Sequence, residues 1–401
     1  MVVENNPYPQ DARVRAESRA LVDAGYQVTV IAQSASDQPW RDRINGVSVY
    51  RFPAPPPMNG AAGYVLEYAY AFVAIFALSL VAWQQEGFDA VHAHNPPDIL
   101  VVLGAFYKLM GKRFVFDHHD LAPEMYAARF RGRARPILAR VLAVFEKWSC
   151  QLADHVIAAN DSYRLVEIER DGVGDDRITV VRNGPDLKRL RPVSPDPELR
   201  RRGRVLFGYV GVMGTQDGVD YLLRALRCLL DRGRSDWYCV LVGTGPSWHE
   251  LQELTADLGL TDHVWFTGTV SDEVLVRCLS SADICVDPDP SNPFNDRSTM
   301  IKVMEYMALG KPVVAFDLPE HRRSAQQAAL YARANDERDF ARCLTELMDD
   351  PARRAAMGQF GRARVEEALA WRHSVVNLLS AYAHVLPAHV QQQQAAPVTD
   401  R

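Results

Sequence analysis

No two of the six cysteines, Cys150, Cys228, Cys239, Cys278, Cys285 and Cys343, stand at CxxC spacing, and none clusters with histidine at a zinc spacing. A cysteine zinc centre and a disulfide framework both lose their signature, and the thiols read as reduced and mostly buried. A basic excess is missing as well: 45 Lys and Arg stand against 50 Asp and Glu, a formal net charge of −5. That balance argues against nucleic acid as a partner. The opening Met-Val-Val-Glu-Asn-Asn-Pro has neither the basic start nor the apolar core of a secretory leader, so a cytoplasmic protein is expected. No Gly-x-Gly-x-x-Gly turn follows the first strand pattern, where Asn5-Asn-Pro-Tyr-Pro-Gln-Asp11 stands instead. A dinucleotide-dependent dehydrogenase is therefore a weak reading.

What is present is a globular composition, 48% hydrophobic and 24% charged over 401 residues. The length exceeds one ordinary core, so two domains are expected. One segment strains the soluble reading: Tyr64 to Trp83 is about long enough to span a bilayer. Glu67 interrupts it, proline-rich and acidic loops flank it, and a strand-like Phe88-Asp-Ala-Val-His92 follows at once. A helix packed on a sheet is the first expectation, a helix resting its aromatic side on a membrane surface the second, and a true span the third.

Strand and helix patterns alternate along the chain. Met1 to Glu4 and Gln27 to Ala32 read as strands around a helix from Asp11 to Ala24 that Gly25 closes. Further strands fall at Ala90 to Ala93, Arg113 to Asp117 and His155 to Ala158. Proline and arginine between Asn183 and Arg204 mark a linker. A second series follows, with strands at Val205 to Val210, Trp237 to Val242, Val264 to Thr267, Asp283 to Val286 and Val313 to Phe316. Two doubly wound α/β halves are expected, a first domain over 1–190 and a second over 203–373. The helix 374–386 should pack back on the first half, and the Gln-rich 387–401 should be a disordered tail.

Candidate chemistry sits where strands of such sheets end. Asp117-His118-His119-Asp120 follows one strand and His92-Ala-His94-Asn95-Pro-Pro-Asp98 another. Histidines beside aspartates suit proton handling, and loop histidines satisfied by backbone carbonyls are the bland alternative. Zinc on these imidazoles is weakly specific at two-residue spacing, so no metal is assigned. Three glycine turns, Gly211 to Gly218, Gly243-Thr-Gly245 and Gly268-Thr-Val270, end neighbouring strands and admit a phosphate or simply close packing. Ser298 and Thr299 suit the start of a helix that could hold phosphate, and Lys302 and Glu305 lie three apart on one helical face that Gly310 ends. A capped surface helix is the plain alternative. Arg129, Arg131, Arg133, Arg135 and Arg140 gather beside Tyr126 and Phe130, a solvated loop or a contact with an anionic lipid head group or a pyrophosphate acceptor.

In this order, Asn6-Pro-Tyr-Pro-Gln-Asp-Ala-Arg13, His92-Ala-His, Asp117-His-His-Asp, Arg182-Asn183-Gly, the glycine turns and Lys302-Val-Met-Glu305-Tyr-Met-Ala-Leu-Gly-Lys-Pro-Val-Val resemble glycosyltransferase family 4 of the GT-B fold over nearly the whole chain. The resemblance implies retaining, metal-independent transfer from a nucleotide diphosphate sugar, UDP or GDP, with no other cofactor. The acceptor would be lipid-linked, polyprenyl-linked or a saccharide, met at the inner face of the membrane. It implies donor contacts at Arg182, Asn183, Gly211, Gly214, Gly243, Gly268, Val270, Asp296, Ser298, Thr299, Lys302 and Glu305. Glu305 would take the ribose hydroxyls. Acceptor contacts would fall at Arg13, His94, Asn95 and Asp98, and catalytic roles at His119, Asp120 and Arg297. Two departures stand out: Arg297 occupies a position usually filled by glutamate, and Asp217 stands where many relatives have a clamping lysine. A nucleotide-sugar epimerase of the same fold and a non-catalytic donor-binding partner are the alternatives.

Overall fold

The computed structural model describes residues 1–35, 37–54, 60–129 and 135–386. Arg131, Arg133 and the 387–401 tail lie outside the described residues. The chain divides into two compact units, Met1–Tyr126 with Arg133–Arg182 and Ser374–Arg401, and Ala127–Gly132 with Asn183–His373.

The first unit carries β1 (Val2–Pro7), β2 (Thr29–Gln33), β3 (Arg41–Ile44), β4 (Val47–Phe52), β5 (Ala90–His94), β6 (Arg113–His118), β7 (His155–Ala158) and β8 (Ile178–Val180). They form one sheet in the order β3-β4-β2-β1-β5-β6-β7-β8. Its pairs are parallel except the β3–β4 hairpin, which turns on Asn45 and Gly46, both at positive φ. The strand order reverses between β1 and β5, which opens a crevice at their carboxyl ends.

Period-two alternation sorts β5 and β6 between two faces. His92, His94 and Asp117 point to the helix Ala12–Asp23, where His94 Nδ1 lies 3.1 Å from Asp117 Oδ2. Phe114 and Phe116 point the other way; Gly104 of the helix Val101–Leu109 comes so close that an added Cβ would stand 2.8 Å from the Phe114 ring. The long apolar helix Gly60–Gln85 packs on this unit's sheet through Ala71, Ile75, Ser79 and Ala82, all buried. Ser79 Oγ is 2.8 Å from Tyr107 Oη. Leu66–Gln85 is apolar and long enough to cross a membrane, with a mean hydropathy of 1.7. Its sheet-facing stripe and this polar tie set one side of it on the sheet, while only 22% of the apolar stretch is buried. The closing helix Trp371–Val385 returns to the first unit, where Tyr382 Oη meets His92 Nδ1 at 2.8 Å and Asn377 Nδ2 donates to the Val180 carbonyl.

The second unit carries β9 (Val205–Val210), β10 (Trp237–Val242), β11 (Val264–Gly268), β12 (Ile284–Asp287), β13 (Val313–Phe316) and β14 (Ala329–Ala332). All are parallel, in the order β11-β10-β9-β12-β13-β14, and the reversal falls between β9 and β12. Both sheet faces are buried, as a parallel sheet requires. Phe207, Tyr209, Val314 and Phe316 join one core cluster, while Cys285, Val313 and Ala315 join the other.

Two glycines of this unit combine a positive φ with a backbone approach too close for a Cβ. Gly243 has φ 124° and an added Cβ would lie 2.0 Å from the Gly211 carbonyl oxygen; Gly218 has φ 63° and its Cβ would lie 2.1 Å from the Pro288 carbonyl oxygen. Strain at positive φ and overpacking act together at each site. Gly243→Ala should therefore destabilise by on the order of 3 kcal/mol, read as a lowered thermal or urea midpoint. An unchanged midpoint would show that the turn relaxes freely.

Candidate active site

Each unit gathers its buried polar groups at its own reversal point. In the second unit, three turns lie edge to edge at the carboxyl ends of β9, β10 and β11. The Gly211 N–H donates to the Val242 carbonyl, Met213 N–H to Thr244 and Gly243 N–H to Gly268. Close backbone approach is what demands glycine at 218 and 243, so the packing alternative holds at those two positions. The Gly214 N–H donates to Asp217 Oδ2 at 2.9 Å. The residue standing where a lysine is common thus consumes a donor of the first turn.

Asp287 ends β12 and Asp289 follows it, both buried. Lys302 Nζ lies 2.6 Å from Asp289 Oδ1, 3.3 Å from Asp287 Oδ1 and 5.1 Å from the Tyr209 ring centre. Burial alone would lower the Lys302 pKa, but Asp287 and Asp289 outweigh it and hold the ammonium well above its ordinary value. Burial would likewise raise the Asp287 pKa, yet Lys302 and His321 hold it below the ordinary carboxylate range. His321 Nε2 is 3.0 Å from Asp287 Oδ2. Lys302 is therefore neither solvated nor directed to the same partner as Glu305.

The helix begins later than the polar run suggests, over Ile301–Ala308, with Met300 before it and no side-chain cap. Ser298 Oγ donates to the Phe294 carbonyl and Thr299 Oγ1 to Glu320 Oε2, so both hydroxyls brace the loop ahead of the helix. Asn295 Nδ2 fastens that loop to the first glycine turn through the Gln216 carbonyl. Asp296 Oδ2 accepts from Ser291 Oγ, and Arg297 Nη1 donates to the Pro293 carbonyl. Glu305 is met by Arg189 at 2.5 Å, and burial raises its pKa in spite of that partner. Val270 follows β11 and packs against the cluster holding Val240 and Val242. Arg182 pairs with Asp161, and Asn183 opens the second unit.

In the first unit, Arg13 Nε lies 2.8 Å from Asp117 Oδ2 and 3.1 Å from Glu17 Oε1, and Nη1 donates to the Val181 carbonyl. Burial would raise the Asp117 pKa, but Arg13 and His94 hold it well below the ordinary value. Burial and then Asp117 push Glu17 well above its own, and burial lowers His92 to about 3. Glu17, His92, His94 and Asp117 bring four ligand-type atoms within 4.8 Å of one another. The Arg13 guanidinium already supplies the positive charge there.

Asn95 is the bracket of the catalytic-candidate loop. Its Oδ1 accepts from the His119 and Asp120 N–H groups, and its Nδ2 donates to Asp98 Oδ1 and the Asp120 carbonyl. Arg13, His94, Asn95 and Asp98 are all buried, so in this structure these four anticipated acceptor contacts support the loop from beneath. His119 is the more accessible member, with 17% of its side chain exposed and Nδ1 3.3 Å from Asp117 Oδ1. Burial would lower its pKa, but Asp117 and Asp120 outweigh it and raise it. Sequence reasoning missed Glu17, Arg189, Asp287, Asp289 and His321. Asp287-Pro-Asp-Pro at the end of a buried strand was the signal available for two of them.

The architecture is that of GT-B glycosyltransferases. Sucrose-phosphate synthase from Thermosynechococcus elongatus superposes with a TM-score of 0.79 at 20% identity, over 96% of each chain. The Anabaena protein HepE, solved with UDP and glucose, superposes with a TM-score of 0.69 at 16% identity, over 96% of this chain and 99% of that one. Residues 11–189 match the family described as Glycosyltransferase Family 4, and residues 204–350 the one described as Glycosyl transferases group 1. The chain therefore carries a Glycosyltransferase Family 4 domain followed by a Glycosyl transferases group 1 domain. A D-inositol 3-phosphate glycosyltransferase of Nocardia farcinica is 31% identical over 282 residues, which are 67% of this chain and 60% of that protein.

Burial raises the Asp98 pKa to about 7, against an ordinary value of 3.8. A folded-state carboxyl with a raised pKa binds more protons than the unfolded chain between those values, so its contribution to stability falls as pH rises from about 4 to about 7. Asp98→Asn should remove that component: thermal midpoints taken across this window should fall less with pH in the variant than in the parent. Parallel curves would show that Asp98 ionises normally.

Proposed function

We propose that this protein transfers a sugar from a nucleotide diphosphate sugar to a hydroxyl of a lipid-linked, polyprenyl-linked or saccharide acceptor. Transfer proceeds with retention at the anomeric carbon and without a bound metal, at the inner face of the cell membrane, in surface polysaccharide or glycolipid assembly. One observation carries the reading: at the reversal point of the second unit, three glycine turns line one sheet edge and Glu305 rises from the helix that follows the Asn295 loop. HepE was also solved with UDP-glucose, which makes UDP the first nucleotide to try.

In the proposed step the bond from the anomeric carbon to phosphate oxygen breaks, and its electron pair stays on the departing diphosphate. The acceptor hydroxyl oxygen forms the new bond on the same face, and its proton passes to the leaving phosphate oxygen. Backbone N–H groups at the start of the Ile301–Ala308 helix favour that developing charge. The positive charge of Lys302 is committed to Asp287 and Asp289, so Arg297 is the side chain assigned to the phosphate. His119, whose pKa Asp117 helps to raise, donates a hydrogen bond to the transferring sugar. Glu305 exchanges Arg189 for the ribose hydroxyls.

A second reading, donor binding without transfer, is favoured by Asp217, whose carboxylate occupies the Gly214 N–H. Release of free nucleotide diphosphate together with a glycosylated acceptor separates the two readings. The anomeric coupling of the product in proton NMR reads retention, and undiminished turnover in a chelator reads metal independence. Glu305→Ala should weaken nucleotide diphosphate binding by about 10- to 100-fold in calorimetry, the cost of losing hydrogen bonds to a charged acceptor. Unchanged affinity would remove Glu305 from the donor site.

A further inference from the structure

The helix Pro136–Leu152 turns an apolar stripe outward. Ile137, Val141, Val144 and Trp148 recur at helical spacing on its outer side and are 76, 43, 44 and 54% exposed. Its fully buried residues are Glu146, Ser149 and Cys150: Glu146 is engaged by Arg170 and His118, and Ser149 Oγ donates to the Asp98 carbonyl at 3.0 Å. Those buried contacts fix the rotation of the helix, so the apolar stripe is outward by construction. Rolling it inward would strand Glu146 without its partners.

The neighbouring layer continues the pattern. The helix Val101–Leu109 packs beside it and ends in Leu109 and Met110, which are 83 and 48% exposed. The helix Gly60–Gln85 packs next, with Phe76 against Phe106 at 5.0 Å, and turns Leu66, Tyr70 and Val73 to solvent. Charge is equally one-sided. The exposed charged residues of Pro136–Leu152 and its cap are Arg135, Arg140 and Lys147, and its single acid is the buried Glu146. From Val101 to Arg113 the charged residues are Lys108, Lys112 and Arg113. Lys108 and Arg113 are partly answered by Asp154, but the stripe of Pro136–Leu152 itself is bordered only by the exposed cations Arg135, Arg140 and Lys147, which on a chain of net charge −5 is complementary to one kind of surface.

We propose that this face of the first unit, centred on Ile137, Val141, Val144 and Trp148 with Arg140 and Lys147 at its margin, docks onto a bilayer containing anionic lipid. The apolar side chains enter the headgroup boundary and the basic ones meet lipid phosphates, while no segment crosses the bilayer. This inference is independent of the transfer reaction, because vesicle binding is read without turnover.

Flotation of the full chain with vesicles tests it. Vesicles containing phosphatidylglycerol should carry the protein, pure phosphatidylcholine vesicles should carry much less, and added salt should weaken the binding. Trp148→Glu and Val144→Glu should each lower the bound fraction about tenfold or more with thermal midpoints unchanged, and Arg140→Ala about fivefold. Failure to float with phosphatidylglycerol would overturn the proposal, as would undiminished flotation of both glutamate variants. A dimer in equilibrium sedimentation that Val144→Glu dissociates would also overturn it, by assigning the face to a second copy of the chain.

Discussion

Asp117 and Asp287 are carboxylates buried at the ends of central strands, and a buried carboxylate must either find a cation or lose its charge. Each unit meets the same constraint in the same way. The helix after β1 brings Arg13 to Asp117, and the helix after the Asn295 loop brings Lys302 to Asp287 and Asp289. Around each pair burial pushes further groups toward their uncharged forms, raising the pKa of Glu17 and lowering that of His92 in one unit and raising that of Asp289 in the other. The result is two rigid platforms at the carboxyl ends of parallel strands, where such sheets present ligand sites.

On these platforms the functional candidates are the groups left above the buried pair. His119 keeps partial access because its loop is suspended from Asn95, whose amide satisfies two N–H groups and two oxygens at once. Glu305 stands one turn beyond Lys302 and meets a cation from the linker region, Arg189. The cost of fixing Lys302 inside is that it is no longer available as a phosphate clamp. Asp217 compounds this by accepting from Gly214, and the assignment of Arg297 to the phosphate answers both departures.

The same logic of buried polar contacts reaches the surface of the first unit. Glu146 and Ser149 anchor one helix from its inner side, and its apolar stripe faces out. A helix of ordinary amphipathicity would have closed the unit against water. This one opens it toward an apolar partner.

Period and punctuation made the doubly wound architecture legible, because β-branched runs ending in Gly, Asn or Asp bury on both faces whatever lies around them. The order of motifs likewise pointed to the glycosyltransferase domains. Even the β3–β4 hairpin had its signal in Asn45-Gly46, though its short charged strand offered no hydrophobic period. Other features were closed to sequence because their causes are distant in the chain. Arg13 meets a carboxylate 104 residues away, His92 a hydroxyl 290 residues away, and Glu305 a guanidinium 116 residues away. Spacing along one helix placed Lys302 and Glu305 on a common face, but only the packed unit decided that one would be buried against aspartates and the other left at the edge. The sequence determines which residues can lie at a strand end; the free energy of burying their charges, set by neighbours brought from elsewhere, decides which of them remain available to a ligand.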